Sequence, residues 1–559
     1  MWKYIYNQKP KATLLLFLTS IYSLSSVFFA YLIQNIIDSL AISNEDRFAS
    51  LSLALIVFLI INYFSGYLST VLGASISKNI RFYLKRDVFS SLIKQKHQVF
   101  ISKTTIGDKL NIFENDIELI EQSYFKNLIS LFQSIFLLIA SCIYLFSINF
   151  LLGIFLIVFA IVILFFPILL GKSIDKRSNN YSIKRGEFLT KLEDFFSGFE
   201  IIKSYSIEKV VIEKFSGILL TIEKKLYSLR KKVASCTQAM IMGNYLIIAA
   251  CLVVGGSLTL RNHLTLGQLI AVIQIMNIIV QPMGNIGTGV MEIKSVEQIR
   301  FKLERIIESK NKQNDKDFNF CQDSFKTIVG KKIQYEAKEE KDQFKLKNIN
   351  IEIEANKKYA LIGESGSGKT TLLKILANHL EPTSGVIQVN EKAYSNYGDG
   401  LKNLITYVSQ DSFMFKDSLK NNVTLYQEYD ESIVNDALHK AALDHTFQAE
   451  LKDANSLSGG EKQRVSIARA VLNDTPVYLM DEVTSSLDAK VSKIIEKNLL
   501  KLENKTIIFV THKLSRDFLE KMDCIFHIRD GEIVESGKLE TLINNKSSFR
   551  ELYEKNQEF

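Results

Sequence analysis

Six long runs without a single Asp, Glu, Lys, Arg or His constrain this chain more than any other feature. They lie at residues 12–37, 50–75, 127–148, 150–170, 240–260 and 264–284. A hydrocarbon layer about 30 Å thick is crossed by roughly 20 apolar residues in helical form, and every run meets that length. A soluble core could hide one such helix, but six predict a membrane-spanning half. Hydrophobic residues are 47% of the 559, an ordinary soluble value, so the average conceals a membrane half before residue 295 and a soluble half after it.

The net charge of +8 could fit nucleic acid or an anionic lipid surface, and the positions of the basic residues decide between them. They flank the apolar runs, which favours lipid and argues against a nucleic-acid partner. The connection between runs one and two carries only Arg47, that between three and four none, and that between five and six only Arg261. Residues 76–126 hold Lys78, Arg81, Lys85, Arg86, Lys94 and Lys96, and residues 171–238 hold Lys172, Lys176, Arg177, Lys184, Arg185, Arg230, Lys231 and Lys232. The positive-inside bias therefore predicts that both long connections, the N-terminus and everything after run six are cytoplasmic, most simply at the cell membrane. The first run is too long for a signal peptide and lacks a small-residue cleavage pattern, so it reads as a retained span. With that span starting at residue 12, no fused leader-peptide protease is expected.

Apolar residues Phe199, Ile202, Tyr205, Val210 and Phe215 recur at helical spacing, interrupted at Gly198 and at a Ser-Ile-Glu-Lys turn. The long connections are thus expected to be helices continuing past the bilayer. A polar stretch, Glu308 to Ser324, reads as a linker. The expected organisation is 1–307 membrane domain, 308–324 linker and 325–559 soluble domain. Cys142, Cys236, Cys251, Cys321 and Cys524 show no CxxC spacing, so neither a zinc site nor a disulfide framework is indicated.

In the soluble half, the apolar stretch Tyr359-Ala-Leu-Ile runs into Gly363-Glu364-Ser365-Gly366-Ser367-Gly368-Lys369-Thr370, and Thr371 continues into an apolar helix. Glycines let backbone N–H groups turn inward onto phosphate oxygens, and the helix N-terminus adds a positive dipole. Lys369 would reach the β- and γ-phosphates, and Thr370 would ligate Mg²⁺. A dinucleotide-binding reading fails because Thr371 stands where a third glycine is wanted.

Two further apolar strands end in reactive side chains. Val477-Tyr-Leu-Met precedes Asp481, placed to hold Mg²⁺ through water, and Glu482, a candidate general base; Ile507-Ile-Phe-Val-Thr precedes His512. Uninterrupted apolar runs indicate parallel strands buried on both faces, whose ligands gather at the carboxyl ends. Leu457-Ser458-Gly459-Gly460-Glu461 opens an amphipathic helix. It reads either as a second anion site or simply as a helix cap.

Together these residues resemble the ATP-binding cassette (ABC) transporters of the six-span exporter type, over essentially the whole chain. Leu457 to Glu461 match the family's signature motif, Gln410 the Q-loop, Ser486-Leu487-Asp488 the D-loop, His512 the switch histidine, and Tyr335 the aromatic that stacks on adenine. Gly107-Asp108, Asn115-Asp116 and Gly198 to Tyr205 resemble patterns near the family's coupling helices. The resemblance implies a membrane all-α six-helix domain with long cytoplasmic extensions, plus an α/β P-loop ATPase domain. It implies ATP and Mg²⁺ as cofactors, with Thr370, Gln410 and Asp481 near the metal. ATP is held between the phosphate loop of one cassette and Ser458 to Glu461 of another, so the partner is a second half-transporter, identical or different. Glu482 activates the attacking water. Exporters of this type commonly carry Gly-Glu-x-Gly before the signature; here Glu450-Leu-Lys-Asp-Ala-Asn-Ser456 stands instead.

The cargo is expected to be hydrophobic or amphipathic: a drug, a lipid or a peptide. No charged side chain in the spans suggests a proton relay, while Gln274, Asn277 and Gln281 share one helix face that could border the path. An importer built on this fold, or an ATP-dependent sensor, would carry the same motifs.

Overall fold

The computed structural model describes residues 1–95, 97–102, 105–313, 324–336, 345–443, 457–545 and 548–557. The stretch 450–456 before the signature, Cys321 and residues 314–323 of the expected linker lie outside that set. The chain forms two compact units, Met1–Ile93 with Thr105–Ser309 and Lys94–Thr104 with Lys310–Phe559.

The first unit is helical. Its principal helices are α1 (Lys9–Ala41), α2 (Glu45–Ile93), α3 (Asn127–Ile148), α4 (Phe150–Ser197), α5 (Glu208–Ala250) and α6 (Leu266–Ser295). Five helical stretches are long and apolar enough to cross a membrane, and α4 contributes a shorter apolar segment, Phe150–Phe159, among the residues searched. The 49 residues of α2 extend about 74 Å at 1.5 Å per residue, more than twice the hydrocarbon thickness, so the helix runs well beyond the bilayer. The break expected near Gly198 is present: α4 stops at Ser197, a short helix covers Phe199–Ser204, and Ser206 takes a left-handed conformation (φ 51°) before α5 starts.

Beyond the spans, a core of Ile76, Ile80, Leu84, Val88, Ile117, Ile120, Val296 and Leu303 holds the extensions together. Two buried carboxylates sit in it with partners, as buried charge demands. Asp116 meets Lys302 at 2.7 Å, and Glu121 accepts from Ser77 and faces Arg81 and Lys126 at 3.2 and 3.5 Å. At the start of α6 the Thr265 and Gln268 side chains form a capping box. There the α1 carboxylate Asp38 accepts from the Gly267 N–H and from the Thr265 hydroxyl, both at 3.0 Å. The helix after α6 runs from Glu297 to Gln313, so the first residues of the expected linker are helical.

The second unit holds two sheets. Strands β1 (Thr327–Glu336), β2 (Lys345–Glu354), β4 (Ser384–Val389) and β5 (Lys392–Ala393) form an antiparallel sheet ordered β2-β1-β4-β5. Strands β3 (Lys358–Ile362), β6 (Ile405–Val408), β7 (Val477–Asp481), β8 (Thr506–Val510), β9 (Cys524–Arg529) and β10 (Glu532–Gly537) form a second, ordered β10-β9-β3-β8-β7-β6. All its pairings are parallel except β9 with β10. The apolar runs divide by parity. Ala360, Ile362, Tyr478, Met480, Ile507 and Phe509 enter one core, while Tyr359, Leu361, Val477, Leu479, Ile508 and Val510 enter the other. Every position is buried because both faces of the sheet are covered.

Candidate nucleotide site

The parallel order places the carboxyl ends of β3, β8, β7 and β6 side by side, with Leu361 opposite Val510, Val510 opposite Asp481 and Met480 opposite Val408. The phosphate loop leaves β3. Gly366 and Gly368 adopt φ of 81° and 108°, a region costly for residues with a Cβ. Gly363 is required for a different reason: a Cβ there would lie 2.7 Å from Ser367 Oγ and closer still to the Ile528 carbonyl. Gly368 then caps the helix α7 (Lys369–Leu376). Thr371 is half-buried in its first turn, while Glu364, Ser365 and Gly366 are exposed.

Lys369 is buried, and its ammonium donates to the carbonyls of Gly363 and Glu364 at 2.9 and 2.8 Å. Burial pushes its pKa down, against the opposing pull of Glu482 and Asp481. Asp481 is 1% exposed and its carboxyl is raised by burial, an effect countered by two hydroxyls. Thr370 donates to its Oδ1 at 3.0 Å and Tyr407 to its Oδ2 at 2.8 Å. Glu482 follows on the same strand end with φ of 50°, a strained value for a residue with a side chain. Gln410 Nε2 donates to one of its oxygens at 3.0 Å, and His512 Nε2 lies 2.8 Å from the other. Residues 72 and 30 positions from Glu482 in sequence are thus gathered around one carboxylate.

The remaining expected residues lie elsewhere. Ser458 caps the helix α8 (Gly459–Asn473), and its side chain and that of Glu461 satisfy each other's backbone N–H groups. Of the two sequence readings of this stretch, the cap is realised within the single chain. Tyr335 is half-buried on β1 opposite Leu346, beyond an irregularity in the pairing.

Sequence reasoning passed over Tyr407 and Gln463. Gln463, on α8, donates to the Glu482 carbonyl at 3.1 Å and accepts from the Ser486 hydroxyl. Tyr407 carries a usable signal, a hydroxyl-bearing aromatic three residues before Gln410 at the end of a strand. The donor set suits a magnesium nucleotide. The hydroxyl of Thr370 and the carboxylate of Asp481 are hard oxygen ligands, and Ser367 Oγ is a buried polar atom without a protein partner.

A glycine-rich anion cradle, a buried aspartate and an oriented glutamate, on the same chain as apolar helices of spanning length, define the class: an ATP-hydrolysing membrane transporter. The comparisons give its family. The family model of the ABC transporter transmembrane region matches residues 12–283 and that described as ABC transporter matches residues 346–485, and the chain belongs to the ABC transporters, in the half-transporter form that fuses the two. It is 30% identical over 399 residues, 68% of this chain, to the lactococcin-G-processing and transport ATP-binding protein of Lactococcus lactis, of whose length it spans 55%. It is 26% identical over 584 residues to the ATP-dependent lipid A-core flippase of Vibrio vulnificus, covering 99% of this chain and 96% of that one. Its fold matches a bacterial Atm1-family ABC exporter with ATP bound, at a TM-score of 0.81 and 18% identity, over 98% of this chain and 99% of that one.

Proposed function

We propose that this chain is one half of a two-chain exporter in which binding and hydrolysis of MgATP drive a hydrophobic or amphipathic substrate across the membrane. The arrangement of Glu482 carries the reading. Its carboxylate stands at a strand end beside the phosphate loop, held by Gln410 and His512, where it can accept a proton from the water that attacks the γ-phosphorus. Lys369, now spent on two loop carbonyls, transfers its donors to phosphate oxygens when nucleotide enters. Thr370 and Asp481 would hold Mg²⁺, which supplies charge neutralisation on the phosphates. Tyr335 offers a ring for adenine.

Ser458 to Glu461 match the family's signature motif, which by that resemblance meets the phosphates held by a second chain, and the capped N-terminal turn of α8 is a helix end suited to an anion. That supports a dimer, identical or mixed. The cytoplasmic side of the connections and of the ATPase follows from their basic residues, and the domain bounds 1–307, 308–324 and 325–559 remain the working division. Relatives named for the transport of lactococcin G and for a lipid A-core flippase support an amphipathic cargo.

The test is Glu482→Gln in the purified dimer. Steady-state ATPase activity should fall by at least about a hundredfold with ATP binding retained. Turnover near the wild-type rate would place the general base elsewhere. A panel of peptides, lipids and hydrophobic drugs that stimulate the ATPase then sorts the cargo; no stimulation by any class would favour a sensor.

A further inference from the structure

Behind Asp481 a column of rings leads away from the phosphate region. The Tyr407 ring, whose hydroxyl holds Asp481 Oδ2 at 2.8 Å, meets His379 edge to face, with centroids 5.1 Å apart and planes at 80°. His379 in turn stacks on His97, with centroids 4.4 Å apart and planes at 20°. Next to His97, Gln98 Oε1 accepts the backbone N–H of Glu381 at 3.1 Å. The turn that follows α7 is therefore held at two points by a segment from far earlier in the chain.

That segment is Lys94–Thr104, which clusters with the second unit. It follows α2, which ends at Ile93, and its residues His97–Ser102 form a short helix that carries both His97 and Gln98. The contact is built for a neutral imidazole. Burial, with the positive charge of Lys374 and Lys402 and the neighbouring His97, pushes the His379 pKa down to about 4, so the two rings stack without repulsion near neutrality. At the other end of the column Asp481 has two hydroxyl partners. Thr370 is itself a proposed cation ligand, which leaves Tyr407 as the group that fixes the plane of the carboxylate.

We propose that Tyr407 and His379 are positioning residues: through the rings of His97, His379 and Tyr407, the seating of the short helix His97–Ser102 sets the orientation of the Asp481 carboxylate and with it the affinity of the site for a divalent cation. This rests on the reading of Asp481 as a cation ligand. Partners of metal-binding carboxylates commonly change metal affinity by roughly ten- to a hundredfold when removed, so an effect of that order is expected at Tyr407 and a smaller one further along the column.

The experiment measures Mn²⁺ affinity by electron paramagnetic resonance on the full chain with a non-hydrolysable ATP analogue. Tyr407→Phe should weaken Mn²⁺ about tenfold. His379→Ala and His97→Ala should each weaken it by roughly threefold or more, and His379→Phe, which keeps a ring in the column, should restore it to within about twofold. Combining His379→Ala with Tyr407→Phe should weaken it no further than Tyr407→Phe alone, because both act through one carboxylate. Wild-type Mn²⁺ affinity in His379→Ala and His97→Ala, or factors that multiply in the double variant, would overturn the proposal. If His379→Ala does not fold, His97→Ala decides alone, since His97 is exposed. Asp481→Asn separates the two readings. Undiminished Mn²⁺ binding in that variant removes Asp481 as a ligand, whereas loss there with no change at His97 and His379 removes only the relay.

Discussion

Replacing Gly267 by alanine sets helix propensity against packing. Alanine is favoured over glycine in a helix interior by about 1 kcal/mol, and Gly267 lies in the first turn of α6, so propensity alone predicts stabilisation or no change. The structure predicts the opposite. A Cβ at this position would lie 2.6 Å from Asp38 Oδ1 and closer still to the Gln34 carbonyl. That is about 0.8 Å short of ordinary contact. A displacement of that size stretches the two 3.0 Å bonds that Asp38 accepts from Thr265 and Gly267 beyond hydrogen-bond range. Overpacking costs about 1–3 kcal/mol and the two lost bonds to the half-exposed carboxylate about 1 kcal/mol each, and the gain of about 1 kcal/mol in helix propensity offsets part of this, so the net cost is near 3 kcal/mol.

Asp38→Ala loses only the bonds, about 2 kcal/mol. The double variant should cost less than the two effects added, because the bonds can be lost only once and Asp38→Ala also removes the carboxylate that the new Cβ meets, leaving the Gln34 carbonyl. Thermal unfolding of the detergent-solubilised protein is the assay. At about 2–4 °C per kcal/mol, Gly267→Ala should lower the melting midpoint by roughly 6–12 °C. A midpoint within two degrees of wild type, or effects of the two substitutions that simply add, would refute the close approach of α1 and α6.

Stability should also depend on pH through His379. Its folded pKa, near 4, lies below the ordinary value of about 6.5, so the unfolded chain takes up a proton first. Stability is complete above about 6.5 and falls as the pH drops towards 4, with a slope from this group of no more than about 1.4 kcal/mol per pH unit. Urea unfolding of His379→Phe should lack that component, and an unchanged slope would count against it. Along α6, Asn277 and Gln281 are exposed while Gln274 is half-buried. Single cysteines at 277 and 281 should therefore react with a maleimide faster than one at 274, and their rates should differ between nucleotide-free and ATP-trapped protein. Rates at all three positions that do not change between the two states would count against this face bordering the transport path.

The local patterns of the sequence carried a great deal. Charge-free runs of spanning length, and apolar strands ending in Gly363, Asp481 and His512, need no tertiary information to be read. Chain connectivity alone fixes their character, because a helix or strand buries what its own period places on one face. The helical break at Gly198 was legible for the same reason. What stayed out of reach depends on which elements become neighbours. Strand order β3-β8-β7-β6 brings Gln410 and His512 to opposite oxygens of Glu482 and sets Tyr407 against Asp481. No spacing along the chain encodes those contacts, since 72 residues separate Gln410 from Glu482.

The reciprocal cap in which Glu461 closes on Ser458 is likewise seen only in three dimensions. Asp38 and Gly267, 229 residues apart, carry no motif at all. The sequence determined a membrane half, a nucleotide-binding half and the side chains available for chemistry. The tertiary structure decided which of those side chains hold one another, because hydrogen bonds and van der Waals contacts act over a few ångströms of space and are indifferent to distance along the chain.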